Sequence, residues 1–200
     1  MYFEKGHLYH VFNQGNNKQQ IFFNSENYNY FLRKIRNYIL PYADVLAYCL
    51  MPNHFHLMLK ISDITLCKSS DDSKSSDDLS YRTLNDSIAI MLRSYTRAIN
   101  KQQETSDALF RPKTKSVCLT NNEGVSPSYF NSSFGTYLNI DLPEKNYPQQ
   151  CFDYIHSNPV KARLVEFPEE WEFSSYVEYK GLRKEFLVNV DVAKEEDLEW

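Results

Sequence analysis

Ala43-Asp44-Val45-Leu46-Ala47-Tyr48-Cys49-Leu50-Met51 and His54-Phe55-His56-Leu57-Met58-Leu59-Lys60-Ile61 are two apolar runs of strand length, parted only by Pro52-Asn53. Pro-Asn is a turn signal, and two residues leave no room for a crossover. Any fold this chain adopts must therefore contain an antiparallel hairpin whose second strand opens with a histidine. Side chains alternate along a strand, so His54 and His56 share one face and Phe55 takes the other. Two imidazoles so placed make a ready pair of metal ligands. They are equally readable as unconnected histidines, one hydrogen-bonded in a core, and the spacing alone leaves both readings open.

The rest of the chain supplies partners for this hairpin. Leu8-Tyr9-His10-Val11-Phe12 reads as a strand ended by the polar run Asn13-Gln14-Gly15-Asn16-Asn17. Ser25 is a plausible N-cap for a helix to about Leu40, with Tyr28, Phe31, Leu32, Ile35 and Ile39 at helical spacing and Pro41 as its stop. A flexible loop is expected over 67–78, where Lys, Ser and Asp alternate with nothing to bury. A long helix over about Leu79–Gln102 follows, its apolar stripe being Leu84, Ile88, Met91, Leu92, Tyr95 and Ile99. Leu109–Leu119 reads as a strand made irregular by Pro112, and Asn121–Tyr137 as a loop. Tyr147–Ser157 is helical, with Asn158-Pro159 expected to end it and Val160–Val165 to add a short turn. The order strand, helix, strand, strand, helix, strand is the split βαβ pattern. The expected class is α+β: a ferredoxin-like antiparallel sheet with its helices on one face, plus helical C-terminal additions.

Charge divides the chain. From Glu166 on, eleven acidic residues face four basic ones, a balance of −7, which leaves +3 on the first 165 residues out of −4 overall. The expected organisation is a main domain over 1–165 and an acidic extension over 166–200, packed on it or trailing from it. Arg93, Arg97, Lys101, Arg111, Lys113 and Lys115 outnumber Glu104 and Asp107 in their stretch, forming either a phosphate-binding patch or a solvated surface. No run reaches the roughly 18–20 apolar residues of a membrane span, and the N-terminus has no apolar signal region, so a cytoplasmic protein is expected. Cys49, Cys67, Cys118 and Cys151 form no C-x-x-C pair, which argues against a cysteine-based zinc site.

Tyr95 has two readings of its own: a core tyrosine on the apolar stripe, or a nucleophile. A phenol is weakly nucleophilic at its usual pKa of about 10 and needs a metal or base beside it.

Four segments carry a resemblance: Tyr9-His10-Val11-Phe12-Asn13-Gln14-Gly15-Asn16-Asn17, Ala47-Tyr48-Cys49-Leu50-Met51-Pro52-Asn53-His54-Phe55-His56-Leu57, Met91-Leu92-Arg93-Ser94-Tyr95-Thr96-Arg97-Ala98-Ile99-Asn100 and Tyr154-Ile155-His156-Ser157-Asn158-Pro159-Val160-Lys161-Ala162. With Phe173-Ser174-Ser175-Tyr176 they resemble, in order and over most of the chain, the HUH single-tyrosine transposases, in the REP-associated branch. The Met-Pro-Asn-His-Phe-His string is the specific one. The resemblance implies cleavage and rejoining of single-stranded or hairpin DNA. Tyr95 would form a 5′-phosphotyrosine, and His54 and His56 would hold a divalent metal, Mg²⁺ or Mn²⁺. Arg93, Arg97, Lys101, Arg111, Lys113 and Lys115 are the candidates for the DNA backbone. Two departures stand out. Gln14 occupies a position commonly held by arginine. Ile99, four residues after Tyr95, cannot ligate where insertion-sequence relatives often carry a third ligand. Asn100 and His10 are the remaining candidates for that ligand. The departures keep two alternatives in view: a DNA-binding protein that has lost transposition, and a phosphodiesterase in which water attacks. A monomer is favoured over the dimer of insertion-sequence relatives.

Overall fold

The computed structural model describes residues 1–67, 81–120, 147–183 and 187–200. The expected loop over 67–78 lies outside the described residues from residue 68 on, and the expected loop Asn121–Tyr137 lies outside them entirely.

The hairpin forms as its sequence dictates. β2 (Ala43–Met51) and β3 (His54–Ile61) pair antiparallel from Ala43↔Ile61 to Met51↔His54, with one irregularity between Val45 and Ala47. β1 (Leu8–Gln14) pairs with the other side of β3, and β6 (Lys115–Cys118) pairs with β1. The order β2-β3-β1-β6 makes β1 and β3 the central neighbours, as the split βαβ pattern predicts. A separate two-stranded ribbon joins β4 (Thr65–Cys67) to β5 (Tyr81–Thr83).

Three element boundaries differ from the sequence reading. α1 (Ser25–Tyr38) is capped by Asn24, whose side chain accepts from Asn27 N–H at 3.0 Å, so Ser25 is already helical. α2 (Leu84–Gln103) begins later than Leu79 because Thr83 and Asp86 form a capping box there, directly after β5. The strand expected over Leu109–Leu119 shrinks to β6. Pro112 offers no N–H, and Asn13 Nδ2 bridges the irregular stretch by donating to Arg111 O (3.2 Å) and Thr114 Oγ1 (3.0 Å).

α3 (Tyr147–Lys161) corrects the expected stop at Asn158-Pro159 by running through Pro159. Pro159 falls in the last turn, where a missing N–H removes only one helical link. Ala162 N–H still reaches Asn158 O, and the chain turns away at Arg163 with φ of 57°. The two helices of the split βαβ pattern share one face, as expected, and the C-terminal helices cover the other. Tyr9, Val11, Phe55, Leu57, Leu59 and Ile61 pack with α1 and α2, whereas Leu8, Met58, Ala47 and Cys49 pack with α3 and α5 (Val190–Glu195). Both faces of the sheet are covered. The residues after Glu166 belong to this packing: Leu50 N–H donates to Phe173 O, Ser175 N–H to Tyr48 O and Asn189 N–H to Val45 O along the outer edge of β2. Within that segment, α4 (Tyr176–Tyr179) places Glu178 where it accepts from the Tyr48 hydroxyl and from Leu187 and Val188 N–H.

Candidate active site

His54 and His56 face α3. Cross-strand pairing puts Gln14 opposite His54, Phe12 opposite His56 and His10 opposite Met58, so even-numbered residues of β1 and β3 line one surface. α3 lies over them and brings the Tyr154 ring within 5.3 Å of His56 and 6.1 Å of His10, centroid to centroid. Asn158, one turn on, shares the Tyr154 face by i, i+4 spacing, and its Nδ2 donates to Tyr154 O at 2.9 Å.

Hydrogen bonds and burial act on each imidazole. His54 Nδ1 lies 2.6 Å from Asn53 Oδ1, an acceptor, so that nitrogen carries the proton and the lone pair is on Nε2. His56 Nδ1 lies 2.9 Å from His10 Nε2. When His56 donates in this pair its Nε2 holds the lone pair, and that atom is buried with no hydrogen-bond partner among the described residues. The two rings are 5.0 Å apart and nearly perpendicular, at 84°. Burial lowers the His54 pKa to about 4, partly opposed by the Asn158 side chain. Burial, with His10 and His54 nearby, holds His56 well below its usual value, and burial takes His10 down to about 3. All three are therefore neutral at pH 7, the state a metal ligand requires. Neutral imidazoles, an orphaned buried Nε2 and hydrogen bonds fixing both Nδ1 atoms fit a divalent cation.

Half-buried Tyr154 has its phenol pKa raised by burial, with Asn158 pulling it down, and Lys161 Nζ sits 5.3 Å from its ring centroid. The site thus combines neutral imidazoles, a phenol, a carboxamide and a nearby cation.

Tyr95 is not brought to the histidines. The α2 stripe that carries it packs on the opposite face of the sheet, beside Phe31 (4.9 Å) and Phe22 (5.7 Å). Its ring is fully buried, and its hydroxyl donates to Ile21 O at 2.8 Å. Burial drives its pKa far up, so the core reading describes it. Asn100 also lies away from the histidines: its Nδ2 donates to Asp107 O and its Oδ1 accepts from Thr105 at the end of α2. His10 does reach the site, but through a hydrogen bond to His56. His10, His54 and His56 do not converge, and among the described residues no three of His, Cys, Asp or Glu form a metal-holding group.

The basic candidates separate too. Arg93, Arg97 and Arg111 line a cavity of about 440 Å³ on the α2 side, floored by Leu92 and Phe110. Lys101 and Lys113 are exposed. Lys115, paired with Phe12 and 6.0 Å from its ring, borders the histidine face. Tyr154, Asn158 and Lys161 were missed as site residues, although their signal was present. The test of a polar residue four positions after a tyrosine, which fails at Tyr95/Ile99, succeeds at Tyr154/Asn158.

No helix among the described residues is long and apolar enough to cross a membrane. No protein-family model matches the chain, and no curated protein matches it in sequence. Among solved structures, a REP-associated tyrosine transposase bound to a REP hairpin superimposes with a TM-score of 0.54, covering 94% of this chain and 92% of that one at 16% identity. The mixed α/β architecture with its antiparallel sheet is the one that transposase has: the two chains share a fold.

Proposed function

We propose that the protein is a transposase-like strand transferase that cleaves and rejoins single-stranded DNA beside a hairpin, with Tyr154 as nucleophile. The observation that carries this reading is the Tyr154 ring 5.3 Å from His56, with Asn158 one turn away on the same helix face. The shared fold with a transposase bound to a DNA hairpin supports the substrate class. His54 and His56, with the Asn158 carboxamide as third donor, would hold the divalent metal; imidazole suits Mn²⁺ better than Mg²⁺. When bound, that ion polarises the scissile phosphate and offsets its developing charge.

The residues' own work follows from their environment. The Tyr154 phenol is neutral at pH 7, so its proton leaves as its oxygen attacks phosphorus. The new Tyr154 O–P bond forms as the P–O3′ bond breaks, and the departing 3′ oxygen takes up a proton, so the step balances. The phosphodiester energy stays in the 5′-phosphotyrosine, and attack by a 3′-hydroxyl reverses the step without a nucleotide cofactor. Lys161 and Lys115 border this face and are suited to the DNA backbone, so binding should weaken steeply with salt. Arg93, Arg97 and Arg111 would engage DNA that wraps the α2 side.

Hairpin-bearing single-stranded DNA incubated with Mn²⁺ tests this reading. A covalent protein–DNA adduct is expected from the wild type and from Tyr95→Phe, and none from Tyr154→Phe. Cleavage that survives Tyr154→Phe would make water the nucleophile, and binding without cleavage would leave a DNA-binding protein.

A further inference from the structure

Gln14 ends β1 directly opposite His54, on the face that carries the histidines. Its side chain is 2% exposed, and Oε1 is buried with no hydrogen-bond partner among the described residues. The backbone around it is pinned. Gln14 N–H donates to Asn13 Oδ1 (2.7 Å), its carbonyl accepts from Arg111 N–H (2.8 Å), and Gly15 N–H donates to Asn53 O (2.8 Å). Asn53 also fixes His54 through Nδ1, so Gln14 and His54 hang from one clasp.

Two buried acceptors therefore sit on one surface with no donor for either: Gln14 Oε1 and, when His56 Nδ1 donates to His10, His56 Nε2. Burying a polar group unpaired is costly. A cation satisfies both at once. We infer that Gln14 Oε1 is an oxygen ligand of the divalent cation held by His54 and His56. This rests on the metal site proposed above and adds a donor from β1 to those from β3 and α3. Carboxamide oxygens beside imidazoles also suit a cation of higher coordination number, such as Mn²⁺, rather than four-coordinate Zn²⁺.

Mn²⁺ binding to the full chain without DNA, followed by titration calorimetry and electron paramagnetic resonance, tests the inference. Gln14→Leu should weaken Mn²⁺ at least ten-fold while the metal-free protein melts at or above the wild-type temperature, since an unpaired polar atom has been removed. Gln14→Glu should bind at least as tightly as wild type and alter the Mn²⁺ resonance; it also serves if the leucine variant fails to fold. His56→Ala should abolish binding. Wild-type affinity in Gln14→Leu, with binding lost in His56→Ala, would overturn the role of Gln14 and leave the histidine site standing. If neither the wild type binds Mn²⁺ nor His56→Ala differs from it, the site itself is overturned.

Discussion

At the scale of residues, two chemically alike tyrosines at helical positions differ in their neighbours along the helix and in what lies opposite. Tyr95 sits on a continuous apolar stripe, which periodicity reads as core, and the core is where it is. Tyr154 precedes Asn158 by one turn and faces imidazoles. That second fact is invisible in the sequence, because the helix and the strand are a hundred residues apart. His156, on the same helix as Tyr154, has a structural place instead: its Nε2 lies 2.7 Å from Ser175 Oγ in a buried setting. Burial lowers its pKa from 6.5 to about 3. Between those values the unfolded chain binds more protons than the folded one, so stability rises with pH across that window. The contribution is complete above pH 6.5 and is lost as the pH falls toward 3. Chemical denaturation should show the wild type losing about 2 kcal/mol more than His156→Gln between pH 7 and pH 5.

At the scale of elements, the hairpin was legible to its ends because continuous apolar strands and a Pro-Asn turn leave no competing arrangement. The surroundings of the turn were not legible. Pro52 O accepts from both Ile21 and Phe22 N–H, and Asn53 O accepts from Gly15 N–H, so a distant loop clamps the residues before His54. Gly15 is required there by closeness, since a Cβ would stand 2.1 Å from the Gln19 carbonyl oxygen. That oxygen is backbone and cannot swing aside. Gly15→Ala should therefore cost about 1–3 kcal/mol by overpacking and also weaken Mn²⁺ binding, because the clasp that positions Gln14 and His54 must open. Urea denaturation and metal titration of the same variant check the two effects. The helix through Pro159 was misread for a related reason: the rule that proline ends helices weakens in a last turn, where little helix remains to be broken.

At the scale of the molecule, the order of elements disclosed the sheet and the shared face of α1 and α2, but not that the C-terminal helices cover the other face. Period-two alternation says which residues share a side and is silent about what lies over it. The acidic extension was read from charge, and charge does not register its packing. Phe173, Leu187 and Val188 join the core on the α1/α2 side, Ala193 and Leu198 join the other, and Ser174 bridges to Cys49 at the β2 edge. Removing 166–200 would uncover that edge and empty part of both cores. The truncated chain should elute as aggregate in size-exclusion chromatography, with loss of the cooperative melting transition.

The pairing of Gln14 with His54 and Phe12 with His56 aligns even numbers with even numbers across the two central strands. The candidate site and the larger aromatic core are thereby sorted by parity. Even positions of β1 and β3 look toward Tyr154, while the odd ones look toward Tyr95 and the slab of aromatic rings around it. The sheet acts as a partition, bridged by Trp171 and Tyr179, which pack against the clusters on both sides. Chemistry on the one side can then be retuned while the scaffold on the other keeps its packing.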